Sequence, residues 1–169
     1  MADTVAILNK NPFMRFEETH VFPLTIDFDL LDAGNIVHHP NYLVLCERAR
    51  ARALDDIDYP YTEMLKDGMS FALTDTQSKY IKPALLGEKL SVLTRCLKFS
   101  RATVTLEQQL VGLSPNYRTF SGYLQELPEG FIQTPYFWIE MRLVYVKLNP
   151  IKAQPIPETL INKLNLKQL

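Results

Sequence analysis

One long run of helix formers, and only one, sits in this chain. From Asn41 to about Asp56 it reads Leu43, Leu45, Glu47, Arg48, Ala49, Arg50, Ala51, Arg52, Ala53, Leu54, all residues that lose little on entering a helix. Pro40 fits the first helical position, where its missing N–H is no loss. Tyr42, Leu45, Cys46, Ala49 and Ala53 fall on one face at helical spacing. The small side chains on that face let such a helix lie close against a sheet.

The flanking sequence supplies that sheet. His20 to Phe28 alternates bulky and polar side chains, apart from Pro23, and reads as a strand near a sheet edge. A short helix from about Pro60 to Lys66 is stopped by Gly68. Strand-like segments follow at Ser70–Ile81, Lys89–Leu97, Ala102–Val111 and Tyr136–Leu148. Pro83, Gly87, Gly112 with Pro115, and Asn149-Pro150 mark the turns between them. Pro157–Leu166 fits a short last helix. One strand, one long helix and then a run of strands spell an α+β fold, an antiparallel sheet wrapped on one helix. Residues 1–15 read as a flexible lead-in, with Asn9, Asn11 and Pro12 as breakers. Residues 16–169 read as a single domain.

Composition narrows the function. The chain has 169 residues, 47% of them hydrophobic, enough for one real core. With 18 basic and 19 acidic residues its net charge is −1, which does not suit a dedicated nucleic-acid binder. The charge is uneven: residues 1–60 hold 5 basic and 10 acidic residues, residues 61–169 hold 13 and 9. The second stretch therefore has basic groups to offer a phosphorylated ligand, or simply a solvated mixed surface. Cys46 and Cys96 show no ligand spacing and read as reduced, buried thiols of a cytoplasmic protein. The apolar run Val5 to Leu8 is too short for a signal peptide, and no run approaches the ~20 residues of a membrane span. There is no G-x-S-x-G for a serine hydrolase, no phosphate-cradling glycine loop and no metal-ligand spacing among the three histidines. No cofactor is expected.

The chemistry concentrates in the run Asp32-Ala33-Gly34-Asn35-Ile36-Val37-His38-His39-Pro40-Asn41-Tyr42. An acid in a glycine loop precedes a helix start by fewer than ten residues. Such an arrangement aims a carboxylate and a positive helix end at one substrate group, as a hydrolytic site needs.

This run, continued through Glu47-Arg48-Ala49-Arg50, resembles the signature of the hotdog-fold 4-hydroxybenzoyl-CoA thioesterase family. It is most similar to the acyl-CoA thioesterases associated with the Tol-Pal system. The passage Ser78-Lys79-Tyr80-Ile81-Lys82-Pro83-Ala84 with Gly87-Glu88, and Pro155-Ile156-Pro157-Glu158, resemble later family segments in order and spacing. The likeness covers about residues 20–111 and 137–166.

The resemblance implies a hotdog fold, with five or six antiparallel strands around one long helix. It implies a homodimer, in some members a tetramer, with sites at subunit interfaces. It also implies hydrolysis of an acyl-CoA thioester, or in a non-catalytic member the binding of acyl-CoA or a protein. Asp32 stands at the family's catalytic aspartate, as general base or nucleophile. His39 matches a histidine of the Tol-Pal branch, and its backbone N–H the family's oxyanion donor. Asn41 and Tyr42 shape the loop-to-helix turn on the substrate side. Lys79, Lys82, Lys98 and Arg101 are the candidates for pantetheine and the CoA phosphates. Glu47 reads as a helix ion-pair partner.

The chain also departs from the family. Phe28 replaces a tyrosine that the Tol-Pal branch carries four residues before the acid, and Leu30-Leu31 lengthens the approach by one residue. Residues 112–136 exceed a simple hairpin and carry Tyr117, Phe120, Tyr123, Phe131 and Tyr136. They read as a cover for an acyl pocket or an interface, or as an extended hairpin packing its own side chains.

Overall fold

In a computed structural model, residues 18–164 are described. The lead-in expected at residues 1–15 lies outside them.

The elements run β1 (Thr19–Thr25), a 3-10 turn (Phe28–Leu30), α1 (Asn41–Asp55), α2 (Tyr61–Lys66), β2 (Met69–Tyr80), β3 (Lys89–Phe99), β4 (Thr103–Leu113), a 3-10 turn (Pro115–Tyr117), β5 (Gly122–Leu124), β6 (Ile132–Leu148), β7 (Ile151–Ala153) and α3 (Glu158–Lys163). They build one seven-stranded sheet in the order β2-β6-β4-β3-β1-β5, with β7 beside β6. Every pairing is antiparallel. The seven strands exceed the expected five or six, because β5 and β7 have three residues each, too few to show a two-residue period.

α1 lies on one face of this sheet. Its buried residues are Tyr42, Leu45, Cys46, Ala49, Ala53 and Leu54, the expected stripe with Leu54 added. Beneath it lie Val92, Leu110, Ile139, Met141 and Leu143. Fully burying one such aliphatic side chain is worth about 1.5–3 kcal/mol, which offsets the cost of ordering the helix. Gly68, at φ +70°, ends α2 and turns the chain into β2.

The opposite face has its own cover. Val21, Leu93, Val111, Leu113 and Phe131 form a second cluster, with Tyr117 and Phe120 packed against it. Most of the 112–136 aromatics thus pack among themselves and onto the sheet face away from α1. Tyr123 differs: its hydroxyl donates to the Ala53 carbonyl of α1 at 2.9 Å. Cys46 is buried and Cys96 partly exposed, both as free thiols, and burial pushes each up to about 12.

β2 is an edge strand. Its residues from Leu73 to Tyr80 are exposed, and among the described residues only β6 pairs with it. No described helix is long and apolar enough to cross a membrane.

Candidate active site

The loop ahead of α1 is pinned at both ends. Leu31 and Val37 bridge antiparallel, as do Ile36 and Leu85. Inside this narrow loop the Asp32 N–H donates to Ile36 O at 2.9 Å and Asn35 N–H to Asp32 O at 3.0 Å. Asn35 takes φ 58°, a left-handed conformation asparagine tolerates. Gly34 N–H donates to Asp32 Oδ1 at 2.7 Å. A Cβ on Gly34 would sit 3.0 Å from that oxygen, so a larger residue there would push the Asp32 carboxylate by a few tenths of an ångström. Asp32 itself stays partly exposed.

The helix start is fixed to the same loop. Asn41 Nδ2 and His38 N–H both donate to Leu30 O, at 2.8 and 2.9 Å. Pro40 adopts helical angles, φ −69° and ψ −26°, and its carbonyl accepts from Leu43 and Val44. The His39 N–H meets no acceptor among the described residues, and it stands beside the positive end of α1. The His39 carbonyl accepts from Tyr80 OH at 3.2 Å. Its ring is exposed, edge-on to His38 at 4.7 Å between centroids.

Tyr42 ties this unit to the sheet. Its hydroxyl accepts from the Ala84 N–H at 3.1 Å, while Val37 N–H donates to Ala84 O. Its ring packs on Phe137 and Tyr80 at 5.1 and 5.4 Å. Burial, more than any neighbour, pushes the Tyr42 phenol above its ordinary value, so it stays a neutral partner. Changing Tyr42 to Phe would leave a buried N–H at Ala84 unpaired. That is expected to cost about 1–3 kcal/mol, read as a drop in the urea midpoint.

The cationic candidates separate in space. Lys82 lies in the segment bridged to the loop. Its Nζ donates to Tyr136 OH at 3.2 Å, which in turn donates to Glu88 Oε1 at 2.7 Å. Lys79 neighbours Tyr80 on β2 but faces the other side of the sheet, with Nζ 5.6 Å from the Trp138 ring. Lys98 and Arg101 lie at the β3–β4 turn. They sit at the opposite end of β3 from Lys89, hence ~30 Å from the Asp32 loop along the strand. Within one chain, Asp32, His39, Asn41, Tyr42 and Lys82 converge, whereas Lys79, Lys98 and Arg101 do not. Phe28, four residues before Asp32, is 79% exposed, an apolar ring in solvent.

Sequence reading missed a polar row under α1. His20, Thr94 and Gln108 stand opposite one another across β1, β3 and β4. Gln108 donates to Cys46 O and Thr94 Oγ1, and Arg50 donates to Gln108 Oε1 at 2.6 Å. Glu47 pairs with Arg50, as a helix ion pair. A signal existed: Gln108 interrupts Val104-Leu106-Leu110, the inward positions of an alternating strand.

An antiparallel sheet wrapped on one central helix, with an acid loop closing on the helix start, defines a hotdog fold. The family model described as "Thioesterase-like superfamily" matches residues 26–164, so the chain belongs to that family. The chain is 30% identical over 91 residues to the acyl-CoA thioesterase YbgC of Haemophilus influenzae, covering 53% of this chain and 67% of that protein. Over 90 residues it is 23% identical to the acyl-CoA thioester hydrolase YbgC of Escherichia coli O157:H7, with the same coverage. Among solved structures, a 1,4-dihydroxy-2-naphthoyl-CoA thioesterase from Synechocystis aligns with TM-score 0.72 at 13% identity, covering 88% of this chain and 96% of that one. At that identity the likeness concerns the fold.

Proposed function

We propose that the chain hydrolyses an acyl-CoA thioester to a free acid and CoA, with Asp32 as general base or nucleophile. The observation that carries this is the pinned loop, which presents the Asp32 carboxylate beside a helix start whose His39 N–H is free of acceptors among the described residues. In this reading the thioester carbonyl oxygen accepts from the His39 N–H. Negative charge developing on that oxygen is then met by a donor and a helix dipole already in place. Asp32 takes a proton from the attacking water and passes it to the leaving thiolate. Alternatively it attacks the carbonyl carbon itself to give an acyl–aspartyl anhydride, which water then hydrolyses to the free acid and the Asp32 carboxylate while the water's proton goes to the thiolate. The C–S bond breaks and the thiol leaves with a proton. The His39 ring lies in reach of solvent, suited to orienting water. The names of the YbgC relatives support the reaction class.

The same reading makes the site shared between two copies. β2 is long, and among the described residues its outer edge is unpaired, a feature proteins normally cover. Antiparallel pairing of two β2 strands sets the Tyr80 end of one copy against the Met69–Phe71 end of the other. Phe71 pairs with Tyr145, and Tyr145 N–H donates to Ala102 O, so Arg101 and Lys98 belong to that end. A second copy then carries its Lys98 and Arg101 toward the Asp32 loop, joining Lys82 as partners for the CoA phosphates. Sedimentation is expected to show a dimer at micromolar concentration. A monomer there would sink the shared-site reading.

The direct test is turnover of the unmodified protein on short, long and aromatic acyl-CoAs, following free thiol. Release on at least one is expected. Binding with no release on any would make the chain a non-catalytic acyl-CoA module.

A further inference from the structure

The face of the Asp32 loop that carries the carboxylate also carries an apolar strip. Leu31 and Val37 pair across the loop, with the Asp32 N–H donating to Ile36 O and the His38 N–H to Leu30 O. That register sets Asp32 directly opposite Ile36, and opposite residues of an antiparallel pair put their side chains on one face. The Gly34 position agrees: a Cβ there would stand 3.0 Å from Asp32 Oδ1 and 4.0 Å from Ile36 Cγ1. Ile36 in turn bridges Leu85 antiparallel, with the Val37 N–H donating to Ala84 O. In this pattern the opposite side chains approach most closely, so Leu85 falls on the same face.

Burial follows the alternation. Val37 and Ala84, one residue along, are buried, whereas Ile36 is 36% and Leu85 47% exposed. Asp32 is partly exposed on the same side. Carboxylate, Ile36 and Leu85 thus stand side by side on three neighbouring segments, two strand spacings or roughly 10 Å from end to end. A single exposed leucine needs no explanation. Two aliphatic side chains in line with a carboxylate make an apolar track that begins at the reacting group.

We propose that Ile36 and Leu85 are the shelf for the acyl chain, and that they favour an aliphatic acyl group long enough to reach Leu85 over a short one. This rests on the hydrolytic reading of Asp32. There the thioester carbonyl carbon lies at the Asp32 carboxylate, so the acyl chain starts beside Ile36. Running on to Leu85, it covers exposed apolar surface with apolar chain, and both leave water. An acetyl group ends before it meets either side chain in full.

Two sets of measurements on the full chain test this. In the first, thiol release gives kcat/KM on acetyl-CoA and octanoyl-CoA. Octanoyl-CoA is expected to exceed acetyl-CoA by about 10- to 100-fold. Leu85→Ser and Ile36→Thr are each expected to remove most of that ratio while moving acetyl-CoA by less than about twofold. Leu65→Ser, which removes an exposed leucine on α2, is expected to leave the ratio unchanged. In the second, calorimetry compares S-octyl-CoA with S-ethyl-CoA, two thioethers that cannot be hydrolysed. The octyl compound is expected to bind at least about tenfold more tightly, and Leu85→Ser to erase the difference. Turnover with equal rates on both acyl-CoAs, a ratio untouched by both variants, or an equal fall on both substrates overturns the shelf and leaves the hydrolytic reading standing. No turnover on any acyl-CoA sinks the hydrolytic reading instead. The thioethers then decide: unequal affinities erased by Leu85→Ser support the shelf, and equal affinities overturn it. Should Leu85→Ser change the sedimentation of the protein and not the ratio, the strip is a contact between copies and the assignment falls.

Discussion

Asp32→Asn is expected to lower kcat on a responsive acyl-CoA by about 100- to 10,000-fold, the usual weight of a positioned acid–base group. That corresponds to about 3–5 kcal/mol of barrier. The substitution is informative because the loop should survive it. Asparagine keeps an Oδ1 that can accept from Gly34 N–H, the 2.7 Å bond that shapes the turn. The bridges from Leu31 to Val37 and from Ile36 to Leu85 involve backbone alone. What disappears is the negative charge and the ability to take a proton or attack. KM should therefore move far less than kcat. Thiol release at steady state, with unfolding by urea as the control, reads both. Equal turnover in the variant would remove Asp32 from the mechanism.

Phe137→Ala is expected to cost about 3–5 kcal/mol of stability. Phe137 is fully buried and touches both aromatic rings that position the helix start, Tyr42 at 5.1 Å and Tyr80 at 5.0 Å. Neither neighbour can collapse into the gap without loosening its own bond. Tyr42 OH holds Ala84, and Tyr80 OH holds the His39 carbonyl. Against a typical total of about 5–15 kcal/mol, that is a large fraction. A chevron or equilibrium urea titration measures it. A cost under ~1 kcal/mol would mean that the cluster does not anchor the loop.

The course of α1 was legible because three local signals agree: Pro40 at the start, a run of helix formers, and apolar residues at helical spacing. The buried face then followed from geometry alone. The main strands were legible for the same reason, since β-rich runs are bounded by glycine and proline. Gly34 was legible as a turn residue, though the 3.0 Å between its Cβ position and the Asp32 carboxylate was not.

Other features carried no local signal. β5 depends on pairing Gly122–Leu124 with Thr19–Val21, a contact across a hundred residues of chain. Lys79 and Lys82 are three residues apart, yet β2 turns Lys79 toward Trp138 on the outer face while Lys82 follows the end of the strand to Tyr136. Lys98 and Arg101 lie in or beside strands where the resemblance leads one to expect CoA-binding cations, but the length of β3 carries them to the far end of the sheet. The partners of His20 and Arg50 come from strands and a helix distant in sequence.

By itself, then, the sequence determined the helix, its buried face, the larger strands and the acid loop ahead of Pro40. Each of these rests on interactions within a few residues, where spacing is fixed by backbone geometry. Only the tertiary structure decided which cations share an end of the sheet with Asp32, which strand edge is left unpaired among the described residues, and where the buried polar row falls. Those depend on strand order and register, set by burial summed over the whole chain.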